Sequence, residues 1–162
     1  MAAVASTTTP LRLDGWVSFL RAHAAITREL SAQLQREHNL TLNDYEVLLH
    51  LSHADGGRLR RVDLAQQVLL TASGITRLLE GLESAGYVVK ETCSSDARVS
   101  YAKLTGSGRT KLQTAAVTHL RGIDELFVSR YSDAELATLA ELLGRLPLTG
   151  SDCRSAASEP CS

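Results

Sequence analysis

Both terminal parts of the chain place apolar residues at helical spacing. A first helix is predicted from an N-cap at Asp14 to an end at His38-Asn39. Further helices are predicted to begin at Thr105-Gly106 and behind a capping box formed by Ser132 and Glu135. Because one face of each helix is too apolar to remain in water, we expect these helices to pack on each other or on a second copy of the chain.

The middle of the chain predicts two short helices separated by a tight break. A helix follows Thr41, and residues 58–62 form a short extended piece. A short helix then leads through a break at Leu70-Thr71 into a helix over residues 72–85, with Gly86 where a left-handed C-cap belongs. This order is typical of a helix-turn-helix.

A change of hydrophobic period predicts a β-hairpin directly after these helices. Residues 87–93 and 99–104 alternate between apolar and polar positions, as half-buried strands do. The five polar or small residues 94–98 between them form the turn. A helix-turn-helix followed by a hairpin is the order of elements in a winged helix.

The predicted fold is therefore mainly α with a small β-hairpin wing. It combines a winged helix-turn-helix DNA-binding lobe with a helical dimerisation lobe. The lobe boundaries are residues 41–105 for the former and 14–40 with 106–146 for the latter, together one domain over 14–146. Residues 1–13, rich in Thr and Ala, and the Ser-containing tail 147–162 are predicted to be disordered.

The helix over residues 72–85 has the surface expected of a recognition helix. Ser73, Thr76 and Arg77 lie opposite its apolar stripe, near its N-terminus. Arg77 can donate two hydrogen bonds to guanine O6 and N7, and the two short side chains permit close approach to the bases. An ordinary polar helix face would have the same composition, so this set alone leaves both interpretations open.

The hairpin adds a second set of candidate DNA contacts. Arg98 at its tip can enter a narrow minor groove, with Asp96 holding the guanidinium in place. Lys90 and Lys103 on the flanking strands can contact phosphates. The alternative is a solvated turn with a surface ion pair worth at most about 1 kcal/mol.

The distribution of charge favours a DNA-binding middle region. The formal net charge of the chain is -1. Between residues 58 and 111, however, nine Lys or Arg stand against five Asp or Glu, so this region has a net charge of +4 and the remainder -5. A basic middle between acidic flanks suits a chain that directs one lobe at phosphates.

Taken together, these motifs resemble the DNA-binding core of MarR-family regulators. The matching residues are Leu64-Ala65, Ser73, Thr76-Arg77-Leu78, Leu82-Glu83, Gly86-Tyr87-Val88, Asp96, Arg98, Leu104-Thr105 and Gly108. The resemblance implies a homodimer with interleaved terminal helices. It also implies major-groove contacts by Ser73, Thr76 and Arg77, a minor-groove contact by Arg98, and repression of genes under a pseudo-palindromic operator.

The resemblance further implies release from DNA by a small aromatic or anionic effector. Trp16, His23, Tyr45 and His119 are the candidate ligand-binding residues, since together they would offer an aromatic wall with polar tips. Aromatic residues and histidines on apolar helix faces are more often core or interface residues, and this alternative stays open.

Several other functions are not favoured by the sequence. No nucleophile elbow, glycine-rich phosphate loop or paired carboxylates indicate an enzyme, and no cofactor is expected. His50 and His53 lie three residues apart, but no further ligand completes a metal site. With no secretory signal and no apolar run of membrane-spanning length, we expect a cytoplasmic protein with no membrane partner.

Two further alternatives remain for a regulator of this kind. One is a winged-helix module that binds protein instead of DNA, which should lack the basic residues found here at positions 77, 90, 98 and 103. The other is an oxidant sensor that uses Cys93. The sequence does not decide whether Cys93, Cys153 or Cys161 reacts with oxidants.

Overall fold

The structure is a computed structural model that describes residues 10–68, 70–92 and 99–146. The predictions for Asp96 and Arg98 at the wing tip therefore lie outside the described residues. The same holds for the three cysteines and for the predicted disorder of residues 1–9 and 147–162.

Six helices and three strands are described in this part of the chain. The helices are α1 (Pro10–His38), α2 (Leu42–His53), α3 (Arg61–Gln67), α4 (Ala72–Ser84), α5 (Gly106–Leu126) and α6 (Asp133–Leu143). The strands are β1 (Arg58–Arg60), β2 (Val88–Thr92) and β3 (Ser100–Leu104). The order confirms the predicted mainly helical fold with a small β wing.

The start of α1 differs from the prediction. The helix begins at Pro10, so Asp14 is an exposed residue inside it, not its N-cap, and residues 10–13 belong to the helix. Proline is favourable in the first turn of a helix because its missing N–H would have no partner there. The predicted end is confirmed, since Asn39 follows His38 with a φ of 53°.

The wing is a three-stranded antiparallel sheet in the order β1-β3-β2, not a two-stranded hairpin alone. Arg58 pairs with Lys103, and Val88 pairs with Leu104 on the other side of β3. The predicted extended piece over residues 58–62 is correspondingly shorter, because Arg61 already begins α3. The third strand anchors the hairpin to the helix-turn-helix.

Helix ends follow local sequence closely. Thr41 and Ser132 both form capping boxes, with Asp44 and Glu135 respectively. Thr71 caps α4 and Thr105 caps α5, each by accepting a hydrogen bond from the backbone N–H three residues on. These caps supply partners for backbone donors that the helices themselves leave unpaired.

One continuous apolar core joins the helices to the sheet. It contains Leu34 of α1, Leu48 of α2, Leu79 of α4 and Ala115 of α5, all with no exposed surface. The core thus includes residues from α1 and α5, two of the three helices that the sequence assigned to a separate dimerisation lobe. The lobe boundaries at residues 41 and 105 stay predictions.

Two other helical segments leave large apolar side chains in solvent. The first half of α1 exposes a stripe formed by Leu13, Trp16, Val17 and Leu20. No described residue of α6 is buried. These exposed apolar faces need to be covered by another surface.

Among the described residues, no helix combines the length and apolar character that crossing a membrane would require.

Candidate nucleic-acid interface

Helix α4 separates a buried apolar stripe from an exposed polar face. Ile75, Leu79 and Leu82 are buried in the core. Ser73 and Arg77 are exposed, and Thr76 is half-buried. The apolar stripe therefore fixes the rotation of the helix about its axis and turns the predicted contact residues outward.

The first turn of α4 is arranged around Thr71. Its Oγ1 accepts a hydrogen bond from the Gly74 backbone N–H at 3.1 Å and lies 3.2 Å from Ser73 Oγ. Thr76 donates its hydroxyl hydrogen to the Ala72 carbonyl at 2.8 Å. The hydroxyl hydrogen of Thr76 is thus used within its own helix, which leaves its methyl group and the acceptor lone pairs of its oxygen to offer to a base.

Arg77 combines exposure with freedom from acidic partners. Among the described residues no carboxylate lies within ion-pair distance of its guanidinium, whereas Arg60 is held by Asp63 at 2.8 Å. With no acidic partner in the described part of the chain, the five N–H donors of Arg77 can be directed at an acceptor outside the chain. A bidentate hydrogen bond to guanine or a contact with phosphate is chemically possible at this position.

The two predicted wing lysines lie on opposite faces of the sheet. Lys90 pairs with Ala102, whose side chain is buried against the helices, so Lys90 shares that face. Lys103 is the next residue along β3 and points to the other face. The sequence prediction grouped these lysines as equivalent phosphate contacts, but the register places only Lys90 on the α4 side.

Glu91 holds Lys103 in an ion-pair cluster on the outer face. The Lys103 Nζ atom lies 2.7 Å from one carboxylate oxygen of Glu91, and an Arg58 nitrogen lies 3.5 Å from the other. The Arg58 guanidinium also stacks 5.1 Å from the centre of the Tyr101 ring. The hydrogen bond from Lys103 is the main cause that lowers the pKa of Glu91 below its usual value. The charge of Lys103 and then the hydrogen bond and charge of Arg58 act in the same direction.

Sequence reasoning missed Arg58 and Glu91 as parts of this cluster. Alternation in β2 and β3 gives the face of each residue within its own strand. It does not show that β1 pairs with β3, which is what brings Arg58 beside Lys103. The one feature of the sequence that could have indicated this cluster is the basic composition of β1, with its two arginines.

The structure brings together two of the four candidate ligand-binding residues. The rings of Tyr45 and His119 lie 4.5 Å apart between α2 and α5, and Tyr45 is 5% exposed. The Nδ1 atom of His119 is buried without a hydrogen-bond partner among the described residues. Burial raises the pKa of Tyr45 and lowers that of His119, so both groups are neutral near pH 7.

Trp16 lies far from that pair, and the His23 ring lies 6.4 Å from that of Phe19 in the same half of α1. Leu30 contacts α5 at Gly122, one turn from His119, whereas Trp16 lies fourteen residues earlier, about 21 Å along the helix axis. Trp16 is 56% exposed and packs loosely against Phe19, with ring centres 6.2 Å apart. A single chain does not form the predicted quartet.

No described group of three or more His, Cys, Asp or Glu side chains is placed to hold a metal ion. His50 and His53 share one side of α2, where burial and the neighbouring His53 lower the pKa of His50. The pair has no third ligand in the described part of the chain.

Comparison with known proteins follows the same division of the chain. Residues 38–99, which include α2, β1, α3, α4 and β2, match the profile of the MarR family. The HTH-type transcriptional repressor YetL of Bacillus subtilis is 30% identical over 107 residues, which cover 66% of this chain and 64% of YetL.

Two solved structures from Streptomyces coelicolor have a similar fold over most of this chain. AbsC, a MarR family transcriptional regulator, has a TM-score of 0.76 at 30% identity over 83% of this chain and 90% of its own. Sco3205, a MarR family regulator solved in complex with DNA, has a TM-score of 0.78 at 28% identity, covering 84% and 88% respectively.

Proposed function

The chain belongs to the MarR family of DNA-binding transcriptional regulators, and from that premise we propose that it is a homodimeric repressor of a pseudo-palindromic operator. Its two α4 helices enter major grooves one helical turn apart, about 10 base pairs from centre to centre. The observation that supports this most directly is the exposed Ser73–Arg77 face, fixed outward by the buried Ile75, Leu79 and Leu82 stripe.

Within each half-site, Arg77 provides the base or phosphate contact with the greatest reach. Ser73 and Thr76 contact base edges or methyl groups at short range, and Lys90 contacts the backbone from the α4 side of the wing. Arg98, oriented by Asp96, is assigned to the minor groove on sequence grounds. Lys103 can contact a phosphate only by exchanging its ion pair with Glu91 for one with DNA.

The homodimer is proposed from the apolar surfaces that one chain leaves uncovered. The α1 stripe of Leu13, Trp16, Val17 and Leu20 and the exposed Val117, Leu120 and Leu142 of α5 and α6 supply apolar area on the helices at both ends of the chain. Burying such faces against a second copy stabilises both partners and sets the two recognition helices in a symmetric pair.

Repression is proposed to be relieved by a small aromatic acid, in the cytoplasm. The Tyr45–His119 pair supports this part, because an unpartnered buried nitrogen beside an aromatic ring suits a planar ligand with one polar group. In a dimer, Trp16 or His23 of one protomer can complete that wall only if the partner's α1 reaches it.

Selection of bound duplexes from random DNA tests the core of the proposal. We expect enriched sequences with two inverted half-sites, and Arg77→Ala should weaken binding by about 1–3 kcal/mol with relaxed preference at one base per half-site. Arg145→Ala, which removes an exposed arginine just after the end of α6, is the control and should bind normally. Unpaired half-sites, or no enrichment at all, would contradict the proposal.

The same operator duplex tests effector release. Benzoate at increasing concentration should dissociate the wild-type complex, while Tyr45→Phe retains the ring and should alter release only if the phenol contacts the ligand. His119→Leu, which removes the unpartnered nitrogen, should reduce sensitivity to benzoate. Equal sensitivity of wild type and both variants would remove this pair from the effector site.

A further inference from the structure

The end of the recognition helix and the start of α5 meet in a tight backbone joint. Gly86 has a φ of 76° and ends α4, and the Tyr87 N–H returns to the Leu82 carbonyl at 2.9 Å. The Thr105 backbone N–H donates to the Tyr87 carbonyl at 3.1 Å. Residues eighteen positions apart in the chain are thus joined directly, on the far side of the wing from its tip.

The side chain of Thr105 has three partners at this joint. Its hydroxyl hydrogen is shared between the carbonyl oxygens of Gly86 at 2.8 Å and Tyr87 at 3.1 Å. The same oxygen accepts the Gly108 N–H at 2.9 Å and so caps α5. One hydroxyl therefore connects the C-terminal end of α4 to the N-terminal end of α5.

Gly108 allows the two backbones to approach this closely. A Cβ at this position would collide with the Tyr87 carbonyl oxygen and lie 2.8 Å from a methyl carbon of Leu104. The Lys111 ammonium lies 5.6 Å above the Tyr87 ring and covers the joint from the next turn of α5. Any larger residue at position 108 would push α5 away from the wing.

Helix α5 extends from this joint as one unbroken rod. It contains 21 residues, about 32 Å of helix, and its Leu112 and Ala115 are buried in the common core. Near its other end it crosses α1, where Thr118 donates a hydrogen bond to Glu37 at 2.8 Å and Gly122 packs on Leu30. The orientation of α5 is therefore passed on to α4 with little freedom at the joint.

We propose that Thr105 and Gly108 are positioning residues for DNA binding: their joint fixes α4 to α5 and so sets the distance between the two recognition helices of the dimer. This inference rests on the proposed homodimer. It places the determinant of half-site spacing in the α4–α5 joint and not in the contacts that α4 makes with bases.

The test is a spacing series on the operator selected with the wild-type protein. Duplexes carry the two half-sites at the selected spacing and with about one or two base pairs added or removed. Wild type should show a sharp preference for one spacing. Thr105→Val, which lacks the hydroxyl, should bind the best duplex about tenfold more weakly and lose most of the preference, while Thr105→Ser should restore both.

Ser132→Ala is the control for stability alone. Ser132 caps α6 by accepting the Glu135 backbone N–H at 3.4 Å, so its loss should lower the melting temperature as Thr105→Val does, but leave the spacing profile intact. Gly108→Ala, if folded, should move the best spacing and not merely weaken binding. Because it can fail to fold, the Thr105 variants decide the question.

The outcomes separate this inference from the proposed function. A Thr105→Val profile parallel to that of wild type, or matched by Ser132→Ala, would overturn the joint while leaving operator binding in place. A wild-type protein that shows no spacing preference would overturn the proposed paired operator itself, and the inference with it.

Discussion

The winged helix-turn-helix region and the two terminal helical segments differ in how completely a single chain buries their apolar side chains. Around α2, α4 and the sheet, apolar side chains such as Leu48 and Leu79 have no exposed surface. Along the first half of α1, Trp16, Phe19 and Leu20 remain about half exposed. The first region has the packed interior of a complete domain, and the second has exposed apolar surface of the kind that a subunit interface buries.

This contrast separates the physical roles that the two regions can have. A finished core can hold α4 at a fixed rotation, which DNA recognition requires. An exposed apolar helical face can bind a second copy of the chain, and its contacts can change without disturbing the core. The long helix α5 belongs to both regions, since Ala115 lies in the core and Gly122 at the crossing with α1.

The largest expected effect comes from the finished core. Leu48→Ala removes a fully buried side chain and should lower the free energy of unfolding by about 2–5 kcal/mol, measured by urea denaturation. Val62→Ala on α3, where the side chain is 63% exposed, is the control and should change it by about 0.5 kcal/mol at most. Similar losses in both variants would contradict the assignment of the core.

The crossing of α1 and α5 should be the next most sensitive position. A Cβ added by Gly122→Ala would collide with Gln33 Oε1 and lie 2.7 Å from Leu30 Cδ2. Separating the helices should cost about 1–3 kcal/mol in the same denaturation experiment. Gly81→Ala, on the open side of α4, has no neighbour within 4 Å and should be neutral or slightly stabilising. Equal behaviour of the two glycines would argue against the close crossing.

Substitutions on the terminal face should change association and leave the core intact. The double change Trp16→Ala and Leu20→Ala removes apolar area from the exposed α1 stripe and should raise the dimer dissociation constant at least about tenfold, or about 1.4 kcal/mol. Sedimentation equilibrium measures this directly. The neighbouring Ser18→Ala is the control, and a dimer unaffected by the double change would place the interface elsewhere.

The smallest expected effect is on the pH dependence of stability. Burial lowers the pKa of His119, so below its ordinary value of 6.5 the unfolded chain binds a proton that the folded chain rejects. The stability of the folded chain is therefore unaffected by this histidine above pH 6.5 and declines as the pH falls below that value. His119→Phe should flatten the part of the urea-midpoint profile between about pH 7.5 and 5.5 that this histidine contributes. An unchanged slope would show that His119 does not remain neutral on folding.

The local sequence determined the element boundaries and their chemistry. The caps at Thr41 and Ser132, the end of α1 at Asn39, the C-terminus of α4 at Gly86 and the outward direction of Ser73 and Arg77 are all properties of a few neighbouring residues. Short-range hydrogen bonds and hydrophobic periodicity act within one or two helical turns, so the helix ends and faces that they set can be predicted without knowing the fold. The wrong N-cap at Asp14 shows the limit, since Pro10 offered an equally good start.

Only the tertiary structure decided which distant residues meet. Pairing of β1 with β3 put Arg58 and Lys103 around Glu91, and the packing of α2 on α5 joined Tyr45 to His119 while leaving Trp16 and His23 apart. Such contacts depend on strand order, register and the crossing of helices. These are set by the sum of many weak burial terms across the chain, and no single stretch of sequence contains that sum.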